Sequence, residues 1–233
     1  MRILAVDTAT KNCSVAVTDE DSILAESTSI IDRTHSRQLM NIIDSVLGKA
    51  GMKAAQLDGF AVTIGPGSFT GLRIGIASIK GLAYSLAKPV VGVSSLETLA
   101  YQCRRTPYLI CPLLDARKQE VYYCHYRFEE GKLEKILEER VASPAEVVGE
   151  IREPCLFVGN GATLYHKLIS AGLGKSAFFA GQNEDIIQAS AVARLSLPRF
   201  KRRDTDDVHR LAPHYIRQSD AELKFRTGNT LKS

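Results

Sequence analysis

The chain has 233 residues, 45% of them apolar and 24% charged, with a formal net charge of +4. That composition excludes a disordered, collagen-like or coiled-coil chain, and the length allows one large domain or two small ones with core enough to need no disulfide or metal staple. The weak positive balance permits contact with nucleic acid without requiring it. Five cysteines (Cys13, Cys103, Cys111, Cys124, Cys155) form no C-x-x-C pair, and their odd number fits a reducing compartment. The opening MRILAVD has no apolar run of signal-peptide length, and no window approaches the roughly 20 apolar residues of a membrane span, so the expectation is a soluble, cytoplasmic protein with no membrane contact.

Three strands are predicted first, at Ile3 to Val6, Ser14 to Thr18 and Ser22 to Ser27, joined by short polar turns as in an antiparallel meander. Leu39, Ile42, Ile43, Val46, Leu47 and Ala50 then recur with helical spacing, closed by Gly51. Phe60 to Ile64 reads as a strand, GPGSFTG as a loop, Leu72 to Leu86 as a helix, Pro89 to Val93 as a strand and Leu96 to Cys103 as a helix. The second half repeats this order more faintly. Strands are predicted at Tyr108 to Leu114, Val121 to Phe128 and Leu133 to Arg140, then a helix at Pro144 to Ile151 and a strand at Leu156 to Val158. A helix at Leu164 to Ala171, a short strand at Ala177 to Phe179, a helix at Ile186 to Leu197 and a strand-like Ala212 to Arg217 follow. Two copies of a mixed sheet flanked by helices describe an α/β duplicated fold of the actin-like (ASKHA, ribonuclease H-like) kind. The expected division is residues 1–104, residues 105–222 and a flexible tail at 223–233, with Thr227 to Ser233 dispensable.

Asp7-Thr8-Ala9-Thr10 follows the first strand, where an actin-like phosphotransferase places an acidic residue and a small turn around metal and phosphate. Asp7, Thr8 and Thr10 are therefore weak cofactor-binding candidates; the turn lacks the glycine that lets backbone amides wrap an anion, and a carboxylate that ends the strand and bonds its own turn explains it at least as well. GPGSFTGLRIG is the most informative segment. It is not a P-loop, because Leu72 and Arg73 follow Gly71 where lysine and a hydroxyl belong. Gly71 and Gly75 share one helical face at about 1 kcal/mol each against alanine, so a close backbone approach should offset them. Packing against the chain's own sheet and contact with a second subunit are both open.

The five histidines, His35, His125, His166, His209 and His214, have no H-x-x-x-H or H-E-x-x-H spacing. Asp115-Ala116-Arg117 ends a strand where a second phosphate turn would carry glycines, and Gly159-Asn160-Gly161 reads as a chain reversal. Lys201-Arg202-Arg203 is balanced by Asp204, Asp206 and Asp207 and reads as a solvated linker rather than an RNA patch. Ser68 departs from the G-x-S-x-G elbow, so a hydrolase has no nucleophile constellation to support it.

MRILAVDTAT, His35-Ser36, GPGSFTGLRIGIA, KPVVGVSSLETLA, LLDARKQEVYY and APHYIR together resemble the bacterial TsaB (YeaZ) family, from the amino terminus to about Arg217. The resemblance implies a non-catalytic dimerisation or scaffold subunit in making threonylcarbamoyladenosine, the modification beside the anticodon of tRNAs that read ANN codons. It implies a TsaD-type catalytic paralogue and a TsaE-type ATPase as partners, a homodimer when the chain is alone, and tRNA reached indirectly through the complex. The paralogue's H-x-x-x-H metal motif falls here on Ser95 and Leu99, so no intrinsic cofactor is expected, and ATP and metal belong to the partner subunits. Gly71, Arg73 and Gly75 are the expected partner interface. A stand-alone actin-like kinase or transferase is the alternative.

Overall fold

Ile3, Leu4, Ala5 and Val6 are all fully buried in the first strand, β1 (Arg2–Asp7), as happens when helices cover both faces of a sheet. The computed structural model describes residues 1–30 and 35–217. β2 (Asn12–Asp19) and β3 (Ser22–Ile30) complete the antiparallel meander, while β4 (Gly59–Gly65) and β5 (Val90–Ser94) join β1 in parallel, giving the order β3-β2-β1-β4-β5. Helices α1 (His35–Lys49) and α2 (Phe69–Ser85) lie side by side on one face of this sheet. Gly51 follows α1 with φ of 64°, the left-handed conformation expected of a C-cap glycine.

From β5 the chain enters α3 (Ser95–Gln102), which lies against β6 (Leu109–Arg117), the central strand of a second sheet. That sheet has the path β10-β7-β6-β11-β12, with β8 (Tyr126–Glu129) also on β6 and β9 (Lys132–Lys135) paired to β8. Its other strands are β7 (Glu120–Tyr123), β10 (Arg140–Ala142), β11 (Cys155–Val158) and β12 (Ala177–Phe179). Along β6 the side chains alternate: Ile110 and Leu114 join the core shared with the first lobe, while Leu109, Cys111 and Leu113 join a second core under α4 (Pro144–Glu150), α5 (Asn160–Leu164) and α6 (His166–Leu173). All five cysteines are buried free thiols, and burial pushes those of Cys13 and Cys103 up to about 12.

Each half runs from antiparallel strands into helices alternating with parallel strands, the second half with five strands before its first helix and two helices between β11 and β12. α7 (Ala189–Lys201) comes from the second half but packs on β1, β2, β4 and β5 of the first lobe, just as α3 packs on β6 of the second. Four local expectations also change. The single strand over Val121 to Phe128 is two, β7 and β8, which keep one register along β6 (Leu113↔Tyr123, Ile110↔Tyr126). The interruption falls opposite Pro112, which offers no N–H to a ladder. The strand over Leu133 to Arg140 divides between β9 and β10, which pair with different neighbours. The helix expected from Leu164 is α5 and α6 meeting at Tyr165, with Gly159 as the N-cap of α5 rather than part of a chain reversal. Ala212 to Arg217 is not a strand, and residues 218–222 and the expected tail at 223–233 lie outside the described residues.

Candidate functional site

The glycine motif and the end of β1 meet in one corner. Ser68 caps α2 by accepting from the Gly71 amide at 3.2 Å, while its own amide donates to the Ala9 carbonyl at 2.7 Å. A Cβ on Gly67 would sit 2.3 Å from the Ala9 oxygen, one on Gly71 2.1 Å from the Thr8 oxygen, and one on Gly75 2.2 Å from Thr8 Oγ1. Thr8 in turn donates to the Gly71 carbonyl at 2.8 Å. The three glycines are thus there to let the Asp7–Thr10 turn lie directly on the loop and on the first two turns of α2. The side of the turn that faces α2 is therefore closed by protein atoms.

Asp7 is fully buried at the floor of this corner. Its Oδ1 accepts from Thr63 Oγ1 at 2.7 Å and from the Ala9 amide at 3.1 Å; its Oδ2 has no hydrogen-bond partner. Burial outweighs those two bonds and lifts the carboxyl to about 7. Thr10 stays at the turn's surface, its hydroxyl accepting from the Asn12 amide at 3.2 Å. Among the described residues no group of three or more His, Cys, Asp or Glu side chains is arranged to hold a metal ion.

A C-terminal strap crosses the corner. The His214 amide donates to the Ile64 carbonyl at 2.7 Å, and its carbonyl oxygen would lie 2.8 Å from a Cβ on Gly65, whose φ of 120° already demands glycine. Tyr215 stacks on Phe69 with centroids 4.7 Å apart and accepts from Arg73 Nε at 2.9 Å; the Arg73 guanidinium lies 3.8 Å above the Phe69 ring. Arg217 reaches the second lobe, donating to Glu120 at 2.6 Å. His214 Nδ1 lies 3.5 Å from the buried carboxylate of Glu139, which also bonds Ser94. The strap thereby ties β4 and α2 of one lobe to β7 and the β9–β10 segment of the other.

Of the expected interface residues, Gly71 and Gly75 are buried against Thr8 and serve this chain's own packing, while Arg73 is exposed on α2 and donates to Tyr215. Ser95 and Leu99 are fully buried on α3: Leu99 is core, and Ser95 Oγ has no hydrogen-bond partner. Asp115 pairs with Arg117 at 3.5 Å, and Lys201 with Glu20 at 2.6 Å. Asp7, Thr8 and the motif glycines are brought together; Thr63, Gly67 and Tyr215 complete the corner without having been marked. The spacing of Gly67, Gly71 and Gly75, every fourth residue, was the signal available for Gly67.

The family model for TsaD, tRNA N6-adenosine threonylcarbamoyltransferase, matches residues 22–225. The chain is 36% identical to the tRNA threonylcarbamoyladenosine biosynthesis protein TsaB of Bacillus subtilis, over 97% of this chain and 98% of that one. The structure of YeaZ from Pseudomonas aeruginosa superposes with a TM-score of 0.78 at 28% identity, covering 92% of this chain and 99% of that one. Component A of the (R)-2-hydroxyglutaryl-CoA dehydratase of Acidaminococcus fermentans shares the actin-like fold alone, with a TM-score of 0.53 at 12% identity over 84% of this chain and 97% of that one. No described helix is long and apolar enough to cross a membrane. With its doubled actin-like fold, its glycine corner and these relatives, the chain belongs to the TsaB (YeaZ) family of tRNA threonylcarbamoyladenosine biosynthesis proteins.

Proposed function

We propose that this chain is a non-catalytic dimerisation subunit of the cytoplasmic assembly that transfers a threonylcarbamoyl group to the adenosine beside the anticodon in tRNAs reading ANN codons. In this reading a TsaD-type paralogue carries the metal and the chemistry, a TsaE-type ATPase joins it, and this chain pairs with itself when alone. The observation that carries the reading is the filled corner: Thr8 occupies the space over Gly71 and Gly75, and the amides of Ser68 and Gly71 are already bonded inside the chain. A turn locked against α2 in this way reads as structural rather than phosphate-binding. Leu99 in the core, in place of a ligand, agrees with it.

The partner surface moves outward from the motif glycines to the solvent face of α2 and the neighbouring α1. Ala77, Gly81 and Tyr84 are exposed along α2, Tyr84 at 69%, and Met40 at 41% lies on α1. A Cβ on Gly81 would meet nothing within 4 Å, so a partner helix could come close there without disturbing this chain's own packing. The test is reconstitution. Purified chain alone should give no tRNA modification and no ATP turnover, and both should appear on adding the TsaD-type and TsaE-type subunits together with a threonylcarbamoyl-adenylate donor. Metal-dependent turnover by the isolated chain would sink the proposal. Gly81→Arg should abolish association in sedimentation while leaving the melt near native; unchanged association would remove this face from the interface.

A further inference from the structure

The end of α3 and the linker that follows it border a cavity of about 510 Å³, closed on the other side by α7 and the segment after β12. Its lining contains none of the corner residues described above. Arg104 and Arg105 come from the linker and Arg194 from α7. Among the described residues none of the three has a carboxylate partner: Arg194 donates only to the Asp21 carbonyl at 3.3 Å, and the Arg104 guanidinium lies 5.9 Å from the centre of the Tyr101 ring. Glu184 is the one acidic residue in the lining. The floor is held in place, because Gln102 Nε2 donates to the carbonyls of Glu184 and Ile186 at 3.0 and 2.9 Å and its Oε1 accepts from the Gln188 amide at 2.8 Å.

Three arginines and a single glutamate line the cavity, so its charge favours an anion. The planar fork of arginine matches phosphate oxygens two at a time, and several forks converging on one site fit a di- or polyphosphate better than a single carboxylate. Tyr101, already beneath Arg104, offers a face on which a base can stack, and the volume is that of a small-ligand site. We infer that this inter-lobe cavity binds a nucleoside phosphate, presented either as a free nucleotide or as a nucleotide within an RNA chain. The inference does not depend on the scaffold reading, since it concerns the isolated chain and a cavity remote from the filled corner.

The experiment is calorimetric titration of the full chain at low ionic strength with ADP and with pyrophosphate, and anisotropy with a labelled unmodified tRNA. Saturable binding is expected, weakened about tenfold by each of Arg105→Gln and Arg194→Gln, the loss of one charge-assisted phosphate contact. Tyr101→Leu should weaken ADP but not pyrophosphate, and Arg202→Gln, an exposed arginine outside the cavity, should change neither. A thermal melt of each variant checks that the chain remains folded. Loss of tRNA binding in the same variants, with displacement of ADP by tRNA, assigns the phosphate to RNA; ADP binding that responds to the variants while tRNA binding does not assigns it to a free nucleotide. The inference is overturned if ADP, pyrophosphate and tRNA all fail to bind up to about 1 mM, a free energy of only about 4 kcal/mol. Binding that neither arginine variant alters overturns it as well.

Discussion

The two lobes solve the same corner problem with opposite treatments of their acidic residue. In the first, β1 ends at Asp7 and the glycines after β4 let α2 close on the following turn; in the second, β6 ends near Asp115 and the glycines after β11 let α5 close on Leu113. A Cβ on Gly159 would lie 2.5 Å from the Leu113 oxygen, and one on Gly161 2.9 Å from the Leu113 carbonyl carbon. The packing device is shared. Asp7, however, is fully buried with one orphan oxygen, while the Asp115 side chain is 20% exposed, accepts from the Arg117 amide at 2.8 Å and faces the Arg117 guanidinium. The second turn then runs through Arg117, Lys118 and Gln119 with φ of 63°, 54° and 62°, three successive non-glycine residues in the left-handed region. A phosphate nest needs glycines there to bring amides close to an anion, and these side chains crowd the approach. The first corner is built on close packing against α2, the second on a run of left-handed non-glycine residues.

The largest effect expected from this comparison is on Gly71→Leu. Its Cβ would fall 2.1 Å from a backbone oxygen that cannot rotate away, so the turn after β1 must leave α2. A loss of about 5 kcal/mol or more, enough to prevent recovery of folded protein, is expected, at the far end of single-substitution effects. Gly161→Ala should be milder, about 1 to 3 kcal/mol, because 2.9 Å can be relieved by a small shift of α5. Chemical denaturation of both variants ranks them; equal losses would mean that the two corners are equally tight.

The acidic residues give the second contrast. Asp7 holds its proton to about pH 7 in the folded chain, whereas the unfolded carboxyl releases it near 3.8, so the native state binds more protons across that window and stability falls as pH rises through it. The penalty is complete above about pH 7. Asp7→Asn removes it while keeping an oxygen for Thr63 and Ala9, so the stability of the variant relative to wild type should improve by about 4 kcal/mol between pH 4 and pH 8. Asp115→Asn touches only an exposed pair and should differ from wild type by less than about 1 kcal/mol throughout. A difference for Asp7→Asn that does not change with pH would show the buried carboxyl to be ionised throughout, held by something that stabilises its charge.

Much of the first lobe is legible in the sequence because β1, β4 and β5 are short apolar runs and α1 carries a clean helical period. The second lobe is harder: Pro112 interrupts a ladder from the facing strand, so β7 and β8 look like one segment when read alone. Pro198 sets a stop at Leu197 that the fold ignores, since it lies exposed in the last turn of α7 and the helix runs on to Lys201. At the corner, the close approach at Gly71 and Gly75 is readable as a need for a neighbour, but not which neighbour. Thr8 lies more than sixty residues away, and nothing in the local spacing distinguishes its backbone from that of another subunit. The strap is strand-like in sequence, yet its bonds go to Ile64, Phe69 and Arg73 singly rather than along a ladder.

That strap is where the lobes are joined across their unlike corners, and it offers a third, smaller effect. Tyr215→Ala removes a stacked ring and the acceptor of Arg73, for a loss of about 1 to 2 kcal/mol in a thermal melt. Hydrogen exchange at the His214 amide should rise in the same variant, since its bond to Ile64 depends on the strap staying seated. Tyr215→Phe keeps the stack and should recover more than half of the loss; failure to recover would place the energy in the hydrogen bond.

Gly81 sharpens the contrast within α2 itself. It lies ten residues beyond Gly71 in the same helix, but no atom stands within 4 Å of where its Cβ would be. Gly71 is therefore required by the fold, whereas Gly81 only weakens the helix, by up to about 1 kcal/mol relative to alanine. Gly81→Ala should raise the stability of the isolated chain by about that amount, partly through the reduced freedom of the unfolded chain. If the outward face of α2 is also where a second subunit approaches, the same methyl group should loosen association, so stability and affinity should move in opposite directions in one variant. Equilibrium denaturation at low concentration reads the first and sedimentation across a concentration series reads the second. A variant that is more stable and associates as tightly as wild type would leave Gly81 without a role in assembly, and would move the partner surface off this turn of the helix.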